Sequence, residues 1–231
     1  MTCFGHDGTL GFAQGHEMAL CGDSMTALRA PGRPKDMEKR EAILDAARAL
    51  FAERGIDGVP IEAIAARSSV SKVTVYGHFG DKQAIFDALL ERELDRISDR
   101  ISSAAQVDGP LPLRLATFGE ELINCLTQPC HLALDRTVAL ESQRNPQLGR
   151  RFFDNGPGRV HDILARLLAE AQNRGEIGEG DPQVMAQDLV SLWFGYQAIE
   201  RRFCGGCAPD PNDLRQRVGH ALRLFLKAYA P

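Results

Sequence analysis

The 231-residue sequence predicts an all-α protein of about nine or ten helices. Two observations carry that prediction. From Met37 onward apolar residues recur at spacings of three and four, and no stretch alternates apolar with polar residues as a half-buried strand does. Prolines and glycines then cut the periodic run into lengths ordinary for globular helices.

Residues 1–34 are expected to form a disordered N-terminal extension, rich in glycine, aperiodic and closing on the basic arm "GRPK". Met25 opens "MTALRAPGRPK", a more ordinary protein start than Met1, so residues 1–24 read as upstream translation. In "MEKREAILDAARALFAERG", Ile43, Ala46, Ala47, Leu50 and Phe51 share one helical face, and Gly55 is placed to end the helix. A short helix follows in "PIEAIAARSS", with Pro60 at its first turn, where a missing N–H costs nothing. Ser71 is a candidate N-cap for the next helix, through Phe79. Asp81 caps the one after it, whose Ile85, Leu89, Leu90, Leu94, Ile97 and Ile101 form a long apolar stripe. Further helices are expected near 111–127, 130–143, 147–154, 157–174, 182–203 and 212–229, broken at Pro110, Pro129, Pro146, "NGPG", "RGEIGEGDP" and "CGGCAPDP".

The segment "SVSKVTVYGHFGDK" is unusual. Glycine costs a helix about 1 kcal/mol relative to alanine, and Val, Tyr and His are mediocre helix formers. Val75 and Phe79 fall on one face, anchoring the helix with Val70, while Val73 and Gly77 lie opposite. Thr74 and Tyr76 flank that outward face, with Lys72 and His78 nearer its edges. One cation, two hydroxyls, a methyl group and an imidazole suit a groove lined by phosphates and base edges. With "IEAIAAR" and the turn before it, the segment makes a helix-turn-helix, Ala65 allowing close approach and Val70 plugging the turn. Gly77 then points at the DNA and lets the backbone sit closer.

"GRPK…AILDAARALFAERGIDGVPIEAIAARSSVSKVTVYGHFGDKQAIFDALL", residues 32–92, resembles the N-terminal domain of the tetracycline-repressor (TetR) family of bacterial transcription regulators, without gaps. The resemblance implies that residues 35–82 are a DNA-binding helix-turn-helix domain and residues 83–231 a helical effector-binding and dimerisation domain. It implies that Lys72, Val73 and Thr74 face the bases, with Ser71 and Gly77 on the same DNA-binding helix. Tyr76 and His78 would bind phosphates or a base edge, and Lys82 a phosphate with the amides at its helix start. Arg33 and Lys35 would reach the backbone or minor groove. Four positions depart from the family pattern. Ser69 stands where Gly is usual, so the turn must take a strained backbone or a new shape. Gly77 replaces a larger side chain, and Val59 and Pro60 replace a capping Thr or Ser.

The C-terminal part is similar to a subgroup linked to repression of multidrug efflux. By that resemblance the last two helices pair with their twins in a homodimer, with Met185, Leu189, Leu192, Ile199, Val218, Leu222, Phe225 and Leu226 as interface; the other use of these residues is each protomer's own core. Candidate effector-pocket residues are Phe118, Leu122, Cys125, Leu126, Arg136, Phe152 and Phe153, with Trp193 or Tyr196 closing one side. An apolar cavity with one arginine would suit an aromatic or lipophilic compound, an acid included. The partners expected are thus a palindromic double-stranded DNA operator, a second copy of the chain and a small effector.

The remaining features exclude other classes. Formal net charge is −4, and residues 33–82 hold nine Lys/Arg against eight Asp/Glu, so any DNA affinity comes from placement rather than bulk charge. No apolar run approaches the roughly 18 residues of a membrane span and no signal-peptide pattern opens the chain, which places it in the cytoplasm without membrane contact. No Walker loop, H-E-x-x-H, G-x-S-x-G or dinucleotide fingerprint occurs, and no enzyme, cofactor or metal site is expected. The lone C-x-x-C at Cys204 and Cys207, joined to Cys125, Cys130 and His131, leaves a thiol-based redox regulator or an activator as alternatives. A helical small-molecule binder that has lost DNA affinity through Ser69 and Gly77 is the third reading.

Overall fold

A computed structural model describes the chain at residues 33–204 and 210–231, with side chains described at 36–200, 210 and 212–231. Residues 1–32 of the expected N-terminal extension and Cys207 lie outside the described residues, while its last two, Arg33 and Pro34, are helical; the side chains of Arg33, Lys35 and Cys204 lie outside those described. Every described element is helical: α1 Arg33–Arg54, α2 Ile61–Arg67, α3 Lys72–Phe79, α4 Lys82–Ala105, α5 Leu111–Leu126, α6 Pro129–Arg144, α7 Pro146–Phe153, α8 Arg159–Asn173, α9 Pro182–Cys204 and α10 Pro211–Ala228. No described helix is long and apolar enough to cross a membrane.

Local chemistry sets most of the boundaries. Asp81 accepts the Ala84 N–H at 2.7 Å and starts α4, Asn145 accepts that of Leu148 and starts α7, and prolines occupy the first turns of α5, α6, α7 and α10. Two boundaries differ from expectation. Helix α1 begins at Arg33 rather than Met37, because Pro34 in a first turn loses no hydrogen bond. "NGPG" does not break the chain: Asp154–Gly158 forms a π-helical turn that joins α7 to α8. The buried Gly156 there lets the turn lie against α4, since a Cβ would stand 2.8 Å from Leu94 Cδ2.

Two apolar cores result. The first gathers Ile43, Phe51, Ile64, Val75 and Phe86 from α1 to α4 with Leu134, Val138 and Leu148 of α6 and α7. The second gathers α5, α8, α9 and α10 around Phe118, Leu164, Trp193 and Phe225. Each large side chain buried this way contributes about 1.5–3 kcal/mol. Helix α4 serves both, with Ile85 to Leu94 in the first core and Ile101 in the second. The junction also carries charge: Arg92 of α4 pairs with Glu41 at 2.9 Å and Asp45 at 3.0 Å on α1.

The packing corrects the expected interface. Met185, Leu189, Val218, Leu222 and Phe225 are buried inside the protomer, so their apolar surface is already used and none is free to meet a second copy. Leu226 is half-buried against the same core. Leu192 and Ile199 are exposed, and Val184, Tyr196 and Leu224, absent from that expectation, are exposed beside them in the sequence of α9 and α10. Helix α9 is also kinked: Gly195 has φ +40° and ψ −141°. The interrupted ladder leaves the carbonyls of Trp193 and Phe194 to Arg217 of α10, whose guanidinium donates to both.

Candidate functional site

Helices α2 and α3 are joined by a tight turn in which Ser69 takes φ +56°. The Val70 N–H donates to Ala65 O at 3.1 Å and the Ser69 N–H to Ala66 O at 3.3 Å, the paired bonds of a left-handed helix cap. The turn thus keeps the shape a glycine would give and accepts the strain instead. Buried Ala65 and Val75 bring the two helices together, and Val70 packs beneath. As expected, Pro60 supplies no side-chain cap to α2.

Ser71 accepts the Thr74 N–H at 3.1 Å and lies 2.8 Å from Thr74 Oγ1, so both hydroxyls are held at the start of α3. Val73 is 81% exposed and Tyr76 51% exposed, with nothing within 4 Å of where a Cβ on Gly77 would lie. This face of α3 thus presents a valine, a glycine and two hydroxyls outward together. Lys72 is ion-paired with Glu62 of α2, which raises the lysine pKa and lowers that of the carboxyl. His78 turns toward α1, its Nε2 lying 3.2 Å from Asp36 Oδ1, and Lys82 Nζ donates to Asp57 O at 3.3 Å. Ser71, Lys72, Val73, Thr74, Tyr76 and Gly77 therefore share one outward region, while His78 and Lys82 are tied back to the protein. The acidic partners Glu62 and Asp36 carried no signal in the sequence, because an acidic residue in a first helical turn is the ordinary reading of both.

A cavity of about 940 Å³ lies between α4, α5, α6, α7, the π-turn, α8 and α9. Of the nine expected pocket residues, Leu122, Leu126, Phe152 and Phe153 line it. Phe118 and Trp193 do not: they stack on each other in the core, ring centroids 5.9 Å apart, and both are fully buried. Cys125 lines a separate space of about 200 Å³ with Arg48, Cys130 and His131. Arg136 points outward to solvent, since α6 turns Leu134 and Val138 inward, and Tyr196 is 78% exposed. The wall's polar groups, among them Ser98, His131, Asp135 and Gln187, were not anticipated; nothing in the sequence separates them from solvent-facing helix residues.

Burial pushes the Cys125 thiol up to about 11, and Arg48 donates to Cys130 Sγ at 2.8 Å. No group of three or more His, Cys, Asp or Glu suited to a metal ion occurs among the described residues.

Comparison with known proteins bears on both regions. A family model described as "AefR-like transcriptional repressor, C-terminal domain" matches residues 113–231, and one described as "Bacterial regulatory proteins, tetR family" matches residues 43–89. The chain is 37% identical over 166 residues to the HTH-type transcriptional repressor BepR of Brucella suis biovar 1 (strain 1330), covering 69% of this chain and 78% of that protein. It is 26% identical over 190 residues to the HTH-type transcriptional regulator UidR of Escherichia coli K12, covering 79% and 92%. Among solved structures, a protein of Mesorhizobium loti MAFF303099 assigned to the TetR family superposes with a TM-score of 0.78 at 28% identity, covering 85% of this chain and 99% of that one. The flavonoid-responsive regulator FrrA superposes with a TM-score of 0.66 at 28% identity, covering 84% and 98%.

Proposed function

The chain belongs to the TetR family of bacterial transcriptional regulators, and from that premise we propose that it is a homodimeric repressor released from a palindromic DNA operator by a small apolar or aromatic effector. The exposed face of α3 carries this reading: Val73, Gly77, Thr74 and Tyr76 are presented together with no internal partner for the valine or the glycine. Lys72, Val73 and Thr74 meet base edges, and Tyr76 meets phosphate. Lys72 exchanges Glu62 for DNA on binding, and His78 and Lys82 reach phosphate only by leaving Asp36 and Asp57.

One such helix is not enough. Two copies of α3 must enter successive major grooves roughly 34–36 Å apart, which a two-fold dimer accomplishes. The exposed residues Leu192, Tyr196 and Ile199 on α9 and Leu224 on α10 supply apolar surface for that dimer. The cavity is the effector site in this reading. Its α4 wall, Leu94, Ile97 and Ser98, belongs to the same helix whose first residue follows α3 by a two-residue link. A ligand that displaces this wall moves α3 and spoils the groove spacing, and because the two half-sites pool their binding energy the loss spans orders of magnitude.

Sedimentation equilibrium with a labelled promoter duplex tests the assembly. Two protomers per duplex are expected, with loss of dimer and of tight DNA binding together in a Leu192→Glu/Ile199→Glu variant. A monomer that binds the duplex as tightly as the unmodified protein overturns the reading.

A further inference from the structure

The cavity's lining specifies the charge of its ligand, an inference that rests on reading this cavity as the effector site. A volume of about 940 Å³ accommodates a ligand of several rings, and Leu122, Leu126, Phe152, Val190 and Phe194 give it apolar walls. The charged lining is one-sided. Asp135, Asp154 and Asp162 face the space, and no lysine or arginine is among the described lining residues. Arg150 lies 3.6 Å from Asp154, whereas Asp135 and Asp162 have no ion-pair partner among the described residues.

A second, independent observation marks the wall as made for a polar group. Ser98 is 1% exposed, and its Oγ, on the α4 side of the cavity, has no hydrogen-bond partner. His131 Nδ1, on the α6 side near Asp135 in the sequence, is likewise buried and unpartnered. Buried polar atoms are ordinarily satisfied, and neither of these is reached by water in this conformation, so each gains a partner only as the wall adjusts around an occupant. Burial also holds His131 below the usual imidazole range, which keeps the ring uncharged and able to accept at one nitrogen.

An organic anion entering this space would shed its water, meet two unpaired carboxylates and find no cation to compensate it. A cation with N–H donors finds the opposite: a carboxylate partner in Asp135 and no competing cation among the described lining residues. We propose that the cavity binds a ring-bearing organic cation, an amine on an aromatic body, seated with its charged head against Asp135. An acid would lose the arginine that suggested it, because Arg136 is exposed and is not among the cavity's lining residues.

Three probes with one ring system and different heads test this by calorimetry on the full chain: 1-naphthylmethylamine, 1-naphthalenemethanol and 1-naphthoate. The amine is expected to bind about tenfold or more tighter than the alcohol, with the carboxylate weakest, since charge-assisted hydrogen bonds are roughly twice as strong as neutral ones. Asp135→Asn should remove most of the amine's advantage, so that amine and alcohol bind the variant alike, and continued binding of both shows that the variant cavity is intact. Carboxylate or alcohol binding equal to that of the amine, or an amine advantage that survives Asp135→Asn, overturns the proposal while keeping the cavity as a site. Binding of none of the three removes the cavity reading and the proposal with it.

Discussion

Ser69→Gly is a substitution whose sign follows from one dihedral angle. Ser69 holds φ +56° in the turn between α2 and α3, a left-handed conformation that costs an L-residue about 1–2 kcal/mol. Its side chain makes no hydrogen bond among the described residues, so removing it forfeits no contact, and the cap bonds of the turn come from backbone N–H groups that glycine also has. Against the relief stands the greater backbone entropy that glycine loses on folding, about 0.5–1 kcal/mol. The balance is a stabilisation of about 0.5–1 kcal/mol per protomer, a rise in Tm of about 1–4 °C for a chain of this size. Urea denaturation monitored by circular dichroism reads it directly, with Ser69→Ala as control. Alanine keeps the left-handed penalty and removes only an unpartnered hydroxyl, so it should stay within about 0.5 kcal/mol of the unmodified protein. A Ser69→Gly protein that is no more stable than Ser69→Ala would refute the reasoning, because the turn would then store no strain.

The other predictions concern the recognition face, the kink in α9 and the cavity wall. Glu62→Gln frees Lys72 from its intramolecular partner, so DNA affinity by fluorescence anisotropy should rise several-fold; unchanged affinity would mean that Lys72 does not leave Glu62 on binding. Gly195→Ala forces a Cβ into a backbone region closed to L-residues and 3.1 Å from Arg217 Nη2, which should lower stability by about 1–3 kcal/mol in urea denaturation. His131 is held below its ordinary pKa of 6.5 chiefly by burial, with Asp135 and Glu93 opposing. Its folded-state value therefore lies below its unfolded one, and the unfolded chain takes up the proton first as pH falls. The contribution of neutral His131 is full above about pH 6.5 and is lost as pH drops toward the folded value. The stability difference between the unmodified protein and His131→Gln should accordingly shrink between about pH 7 and pH 5.

The helix-turn-helix was legible because its determinants are local. Ser71 and Asp81 cap within three residues, Val75 and Phe79 repeat at four, and an all-helical chain needs no long-range pairing to be recognised. The π-turn at Asp154–Gly158 was not legible: proline and two glycines signal a break, and only the contact with Leu94 of α4 shows why the chain stays wound there. Rotation about the helix axis was the other failure. Helix α6 buries little besides Leu134 and Val138, so its pattern did not reveal that Asp135 faces the cavity and Arg136 faces away. Met185, Leu189 and Phe225 read as apolar surface for a partner until the packing placed them inside. A pocket assembled from α4 to α9 draws its polar members singly from helices distant in sequence, and no motif announces such a set.

The most direct test of the account is binding to the promoter DNA flanking its own gene, by fluorescence anisotropy across a salt series, for the unmodified protein and Tyr76→Ala. The account predicts tight, sequence-selective binding that weakens steeply with salt, and a loss in Tyr76→Ala that is similar for every sequence tried. Binding that is weak, indifferent to sequence and unchanged in Tyr76→Ala would contradict it, because the exposed face of α3 would then have no DNA to meet.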